Sequence, residues 1–169
     1  MEANSDWTGH IVERWRELRP DLDPTPMLVV ARIGRLAVLI DELLRPPFAA
    51  AGLAAGDFDL LAALRRQGPP HEARAGDLAT AMLVTTGATT KRIDRLERQG
   101  YVTRRTSDVD GRGRVVALTV DGLELVDRLL AVHLANEASI VSALTVRQRR
   151  DLGALLGLLA SSIETGLRA

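Results

Sequence analysis

The residues best suited to chemistry lie together in the stretch from Thr85 to Thr119. This stretch holds eight basic and four acidic residues, a net charge of +4, whereas the whole chain has 22 of each and a net charge of zero. A basic segment on an otherwise acidic body is typical of a protein that binds a polyanion. Charge alone does not distinguish such a binding surface from an ordinary charged surface that only contacts water. The basic residues are Lys91, Arg92, Arg95, Arg98, Arg104, Arg105, Arg112 and Arg114.

The remaining composition argues against several other classes of protein. The chain has no cysteine, which excludes disulfides and thiolate metal sites. Its three histidines are isolated from one another, so we expect neither a metal nor a cofactor. We find no pairing of nucleophile with base and no phosphate-binding glycine loop, and therefore do not expect an enzyme. Without a signal peptide or a long apolar run, a cytoplasmic location is expected.

Hydrophobic periodicity, together with only 3% aromatic residues, favours a mainly helical fold. The first helix is expected to follow an Asp6 cap, to carry an apolar stripe of Trp7, Ile11, Trp15 and Leu18, and to end at Pro20.

A second, long helix reads "MLVVARIGRLAVLIDELL" and is expected to stop at Pro46-Pro47. Its apolar residues occupy more than one side, so we expect it to be buried on several sides. Such burial suits either a subunit interface or a central core helix.

Three shorter helices follow, the first expected to be capped by Asp57 and the second to read "GDLATAM". Thr86 is predicted to cap the third, from Gly87 to Gln99, and Gly100 to end it. Two short helices joined by a tight turn form a helix-turn-helix.

Residues 102–106 and 115–119 read as two strands joined by the turn-forming tip "SDVDGRG". Thr119 then begins a long helix to about Ser142, and Thr145 caps a final helix with a continuous leucine face. The predicted fold is therefore mainly α with a small β-hairpin wing. Helices flank this winged helix-turn-helix on both sides.

On a helical wheel, Thr89, Ile93 and Leu96 share one face of the helix from Gly87 to Gln99 and are expected to be buried. The opposite face carries small, hydroxylated and basic groups, which suit the major groove of DNA. The alternative is an ordinary exposed helix face.

Arginines at the wing tip suit the negative potential of the minor groove, and Asp110 can pair with Arg112 or Arg114. The alternative is a surface hairpin with a local ion pair. The predicted DNA-binding residues are Thr85, Thr86, Gly87, Thr90, Lys91, Asp94, Arg95, Arg98, Asp110, Arg112 and Arg114.

Two motifs give the chain a resemblance to the MarR family of winged helix-turn-helix regulators. They are "GATTKRIDRLERQGYVTRR" and the wing pattern Asp-x-Arg-x-x-x-Val-x-Leu-Thr that runs from Asp110 to Thr119. The resemblance covers nearly the whole length, although Thr89 stands where the family often has an apolar residue. It implies a homodimer that binds double-stranded DNA at a pseudo-palindromic operator and controls transcription, most often as a repressor.

The expected organisation is one compact fold with three regions: dimerisation helices in 1–50, the DNA-binding region in 51–119 and further dimerisation helices in 120–169. The residues support the dimer independently. The apolar faces at both ends of the chain exceed what a small winged-helix core could bury.

Four residues, Trp15, Asp59, Arg92 and Arg104, are similar in placement to the effector-binding set of the family's urate-responsive branch. The resemblance implies that a flat purine anion stacks near Trp15, engages the arginines and moves Arg92 with the recognition helix. The alternative is structural: the charged residues form internal salt bridges between helix and wing, and Trp15 holds the first helix against the core.

A different class of function also stays open. The winged helix could serve as a protein-interaction module without sequence-specific DNA binding, because a fold alone does not fix a function. The basic helix face and the arginines of the wing favour DNA.

Overall fold

The computed structural model describes residues 6–106 and 114–167. The chain divides into two compact units, Met1–Pro46 and Pro47–Ala169. Its elements in chain order are α1 (Trp7–Leu18), α2 (Met27–Ala50), α3 (Asp57–Arg66), β1 (Glu72–Arg74), α4 (Ala75–Ala81), α5 (Thr86–Arg98), β2 (Val102–Thr106), β3 (Arg114–Leu118), α6 (Val120–Ile140) and α7 (Val146–Gly166). The predicted class, mainly helical with a small β wing, is confirmed.

In the first unit, Asp6 caps α1 as predicted, and its carboxylate accepts a hydrogen bond from the Gly9 amide at 2.8 Å. The Arg32 guanidinium from α2 binds the same carboxylate at 2.9 and 3.0 Å. The hydrogen bond from Arg32 lowers the pKa of Asp6 to about 2. One aspartate therefore both starts α1 and ties it to α2.

The apolar stripe predicted for α1 is largely exposed in the single chain. The buried residues are Thr8, Gly9 and Val12, whereas Trp7 and Trp15 are each about half exposed. The Arg35 guanidinium lies 5.2 Å from the centre of the Trp7 ring. Periodicity finds an apolar face, but it cannot tell whether the same chain covers that face.

Helix α2 also differs from the prediction. None of its residues is buried, which excludes the central core helix within a single chain. The helix continues through Pro46 and Pro47 to Ala50. Proline's fixed φ suits a helix, and what each proline removes is one backbone donor.

The core of the second unit lies where α3, α5, α6 and the sheet meet. Gly56, at φ 77°, stands at the N-cap position of α3, so the prediction that Asp57 caps this helix is wrong. Asp57 instead lies inside the first turn and is fully buried. The largest fully buried aliphatic side chains here are Leu60, Leu61, Leu64, Leu78, Ile93, Leu96, Val102, Val116 and Val126.

Helix α5 buries Thr89, Ile93 and Leu96, the three residues predicted for its inner face. Its N-cap is Thr85, one residue earlier than predicted, and the Thr85 hydroxyl accepts from the Ala88 amide at 3.2 Å. The helix-turn-helix is thus formed by α4 and α5.

The sheet has three antiparallel strands in the order β1-β3-β2. The predicted pairing of the two wing strands is confirmed, with β3 at Arg114–Leu118 where 115–119 was predicted, and the predicted tip at 107–113 lies outside the described residues. Strand β1, only three residues long, was not predicted. Where the chain leaves β3 for α6, a β-carbon at Gly122 would lie 2.0 Å from the Tyr101 carbonyl oxygen. Glycine is therefore required where the first turn of α6 meets the backbone of Tyr101, between α5 and β2.

The last two helices begin at Thr119 and Thr145, which cap them as predicted. Helix α7 starts with a capping box between Thr145 and Gln148, and none of its residues is buried. Its apolar stripe of Leu152, Leu155, Leu156 and Ile163 is exposed. No helix in the described part of the chain is long and apolar enough to cross a membrane.

Candidate nucleic-acid interface

The first two turns of α5 present a small, polar and positively charged surface. Thr86, Gly87, Thr90 and Lys91 are all exposed. The Thr90 hydroxyl donates to the Thr86 carbonyl at 3.0 Å, which leaves its oxygen lone pairs facing outward. Free amides at a helix N-terminus, hydroxyl oxygens and an ammonium group together match phosphates and base edges.

Arg95, expected to face the duplex, has a different position. Its guanidinium forms a two-pronged ion pair with the Asp57 carboxylate, with Nε donating to Oδ2 at 2.7 Å. The Asp57 side chain is 0% exposed, and it also accepts a hydrogen bond from the Ala54 amide at 2.8 Å. The buried Asp57 carboxylate therefore binds the Arg95 guanidinium, and this ion pair connects α5 to the start of α3.

A second ion-pair group joins α5 to the wing. The Arg104 guanidinium on β2 binds the carboxylates of Asp94 and Glu97, with 2.7 Å to Asp94 Oδ1 and 2.8 Å from its Nε to Glu97 Oε2. The hydrogen bond from Arg104 lowers the pKa of Glu97 below its ordinary value. Asp94 was predicted to face DNA, but its carboxylate binds Arg104 on β2. These ion pairs fix the position of the wing strand β2 relative to α5.

Replacing Glu97 with glutamine should make stability less sensitive to acid. Because the folded pKa of Glu97 is lowered, the unfolded chain takes up the proton first as the pH falls. The stabilisation is complete above the ordinary glutamate pKa of about 4.3 and is lost as the pH drops through the lower folded value. Urea unfolding from pH 7 to pH 3 measures this. A Glu97→Gln curve parallel to that of the wild type would contradict the assignment.

The other predicted DNA-binding residues fall into two groups. Arg98 and Arg114 are exposed, and Arg98 Nε donates to the Asp94 carbonyl at 3.3 Å. Asp110 and Arg112 lie outside the described residues. Sequence reasoning missed one contact of the wing: Arg105 on β2 pairs with Glu72 on β1 at 2.7 Å. Since β1 itself was not predicted, nothing in the sequence indicated this pair.

The predicted effector residues have unequal surroundings. Arg104 is bound by the carboxylates of α5, as the structural alternative expected. Arg92 is half-buried and makes no ion pair within the described ranges. Its Nη1 lies 3.9 Å from the Met82 sulfur, and its guanidinium covers Gly56 so closely that a β-carbon there would lie 2.2 Å from Cζ.

Asp59 lines a cavity of about 220 Å³ together with Arg66, Ala81 and Met82. Met82 therefore neighbours both Asp59 and Arg92. In the first unit, Trp15 lines a largely apolar pocket of about 310 Å³ with Leu22, Pro24 and Met27 among its walls.

Comparisons with known proteins agree with this architecture. The model of the MarR family matches residues 51–113. The HTH-type transcriptional regulator PecS from Dickeya dadantii is 38% identical over 147 residues, which cover 87% of this chain and 89% of PecS.

Two solved structures from Streptomyces coelicolor share the fold. AbsC, a MarR family transcriptional regulator, has a TM-score of 0.77 at 23% identity and covers 85% of this chain and 97% of its own. Sco3205, a MarR family transcriptional regulator in complex with DNA, has a TM-score of 0.76 at 26% identity, covering 83% and 89%. These relatives are transcriptional regulators rather than enzymes. The chain belongs to the MarR family of winged helix-turn-helix transcriptional regulators.

Proposed function

We propose that the protein is a homodimeric, cytoplasmic repressor that binds a pseudo-palindromic operator and leaves it when a small aromatic or anionic effector binds. The observation that carries the proposal is the exposed polar surface at the start of α5. Three ion pairs hold this surface in place: Arg95 binds Asp57, and Arg104 binds both Asp94 and Glu97. Preorganised groups of this kind suit a recognition helix in the major groove.

Each exposed group has a role in this proposal. Thr86, Gly87 and Thr90 approach base edges and phosphates, while Lys91 and Arg98 neutralise the DNA backbone. Arg114 supports the wing near the minor groove, and the predicted roles of Asp110 and Arg112 there are retained. Arg95 acts on α5 through Asp57 and does not touch DNA.

The dimer is supported by the uncovered apolar faces of α2 and α7. In α2, Val29, Val30, Leu36 and Leu43 are all more than half exposed in the single chain. Exposed apolar area of this extent, on helices near both ends of the chain, is typical of an obligate subunit interface. A two-fold dimer carries two copies of α5, which fits an operator with two half-sites.

The effector part of the proposal takes urate as the candidate ligand and is supported by Asp59 and Arg92, which both neighbour Met82 in the second unit. The role of Trp15 stays a prediction from the family resemblance. A half-buried guanidinium that has no carboxylate partner among residues 6–106 and 114–167 is suited to a planar anion, since a bidentate contact would satisfy it. Arg92 belongs to α5, so its movement would move the recognition surface. When the ligand binds, Arg104 leaves the carboxylates of Asp94 and Glu97 and contacts the ligand instead.

Replacing Lys91 with alanine should weaken operator binding several-fold and lower the slope of log Kd against log salt by about one for each copy bound. The loss follows from one phosphate contact that no longer releases a counterion. Fluorescence anisotropy from 50 to 300 mM salt, on a duplex selected from random sequences, measures both quantities. Arg147→Ala on α7 is the matched control, because it removes an exposed charge away from α5.

Equal slopes for Lys91→Ala and the wild type would remove Lys91 from the interface. Failure of the wild type to select any duplex would favour the protein-interaction module instead. Adding urate to the wild-type complex then tests the effector. Dissociation supports urate, whereas a complex indifferent to urate keeps the regulator and removes the urate assignment.

A further inference from the structure

Leu83, in the turn between α4 and α5, has an unusual position. Its φ is 53°, in the left-handed region, and its side chain is 86% exposed. The Leu83 amide donates to the Thr80 carbonyl and the Val84 amide to the Ala79 carbonyl, both at 3.2 Å. These two hydrogen bonds form a Schellman motif that ends α4, with Leu83 at the position where glycine is favoured.

Two features that oppose stability therefore coincide at this residue. A β-carbon in the left-handed region is strained where glycine is not. The apolar side chain gains nothing from burial while it projects into water. The turn needs only the backbone of Leu83, so neither its conformation nor the packing of the described residues accounts for a leucine side chain.

The location of Leu83 suggests what its side chain meets. It lies two residues before Thr85, the N-cap of α5, so their α-carbons are within about 7 Å of each other. If α5 enters the major groove by its first turns, Leu83 comes to the edge of that groove. DNA offers apolar surfaces there, namely the methyl groups of thymine and the faces of the deoxyribose rings.

We propose that Leu83 is an apolar DNA contact at the entrance of the recognition helix, covered only when the duplex is bound. This inference rests on the proposed function. It assigns Leu83 a role unlike that of Lys91, because an apolar contact releases no counterion. Loss of the Leu83 side chain should therefore lower affinity by the same factor at every salt concentration.

Three variants test this in the full-length protein. Leu83→Gly removes the side chain and relieves the backbone, so its melting temperature should equal or exceed that of the wild type. Leu83→Asn keeps a side chain of similar size that tolerates the left-handed region but is polar. Both should bind the selected duplex roughly ten-fold more weakly with an unchanged salt slope. Leu83→Met keeps an apolar side chain and should retain near wild-type affinity.

Wild-type affinity in either Leu83→Gly or Leu83→Asn would overturn the proposal, and so would a ten-fold loss in Leu83→Met. Replacing the thymines of the duplex by uracil separates the two DNA surfaces. A loss with uracil in the wild type, but not in Leu83→Gly, assigns the thymine methyl; no loss in the wild type assigns deoxyribose. A wild type that binds no duplex would overturn the proposed function as well, before any variant is compared.

Discussion

Replacing Arg95 with alanine should lower the free energy of unfolding by about 2–4 kcal/mol. The change leaves the fully buried Asp57 carboxylate without its charged partner, and a buried charge without a partner is strongly destabilising. Because the Arg95 side chain is 32% exposed, water will reach part of the site, and the loss should fall below that of a fully buried pair. Urea unfolding followed by circular dichroism at pH 7 measures the difference.

Arg98→Ala is the matched control for Arg95→Ala. Arg98 lies on the same helix and is exposed, and within the described part of the chain it donates only to a carbonyl of its own helix. Its removal should therefore change stability by less than about 0.5 kcal/mol. Equal stability of the two variants would show that the Asp57–Arg95 pair does not hold α5. A loss of DNA binding in Arg95→Ala without any loss of stability would instead place Arg95 on the DNA.

The second large effect is expected on assembly. Leu155→Glu on α7 should convert the proposed dimer to a monomer and lower operator affinity on the order of 100-fold, because a monomer engages one half-site at a time. Leu155 is 65% exposed in the single chain, so the monomer should keep its helical content. Analytical ultracentrifugation gives the mass, and anisotropy gives the affinity.

Ala154→Glu is the matched control for Leu155→Glu. It introduces the same charge at the preceding residue of α7, which lies about 100° away around the helix and off the apolar stripe. It should remain dimeric and bind the operator normally. A dimeric Leu155→Glu protein would exclude this part of α7 from the interface. A wild-type protein that sediments as a monomer would overturn the dimer itself.

The elements that sequence predicted well are those governed by local rules. The inner face of α5 follows from helical periodicity, which grouped Thr89, Ile93 and Leu96 correctly. The caps Asp6, Thr119 and Thr145 follow from a side-chain oxygen three residues before a free amide. The hairpin follows from two β-rich runs around a turn-forming tip.

The errors arise where a distant residue decides the outcome. The wheel placed Arg95 near the outer face of α5, but Asp57, 38 positions earlier, draws its guanidinium inward. For Arg104, internal salt bridges between helix and wing were one of the two predicted alternatives, and the structure identifies the partners as Asp94 and Glu97. Strand β1 has no periodicity of its own, since three residues are defined by their pairing with β3.

The apolar stripes of α1 and α2 show a related difficulty. Periodicity identified them, yet in the single chain Trp7 and Trp15 are about half exposed and no residue of α2 is buried. A hydrophobic pattern indicates that a face needs a partner, and the pattern is the same whether that partner is the same chain or a second copy.

Footprinting by hydroxyl radicals, on a duplex selected from random sequences, tests the central claim most directly. If a two-fold dimer places one α5 in each of two major grooves, the protected sugars should form two symmetric patches. Their centres should lie about 10 base pairs apart, or a multiple of one helical turn. A single asymmetric patch, or no enrichment of any duplex at low salt, would contradict the account.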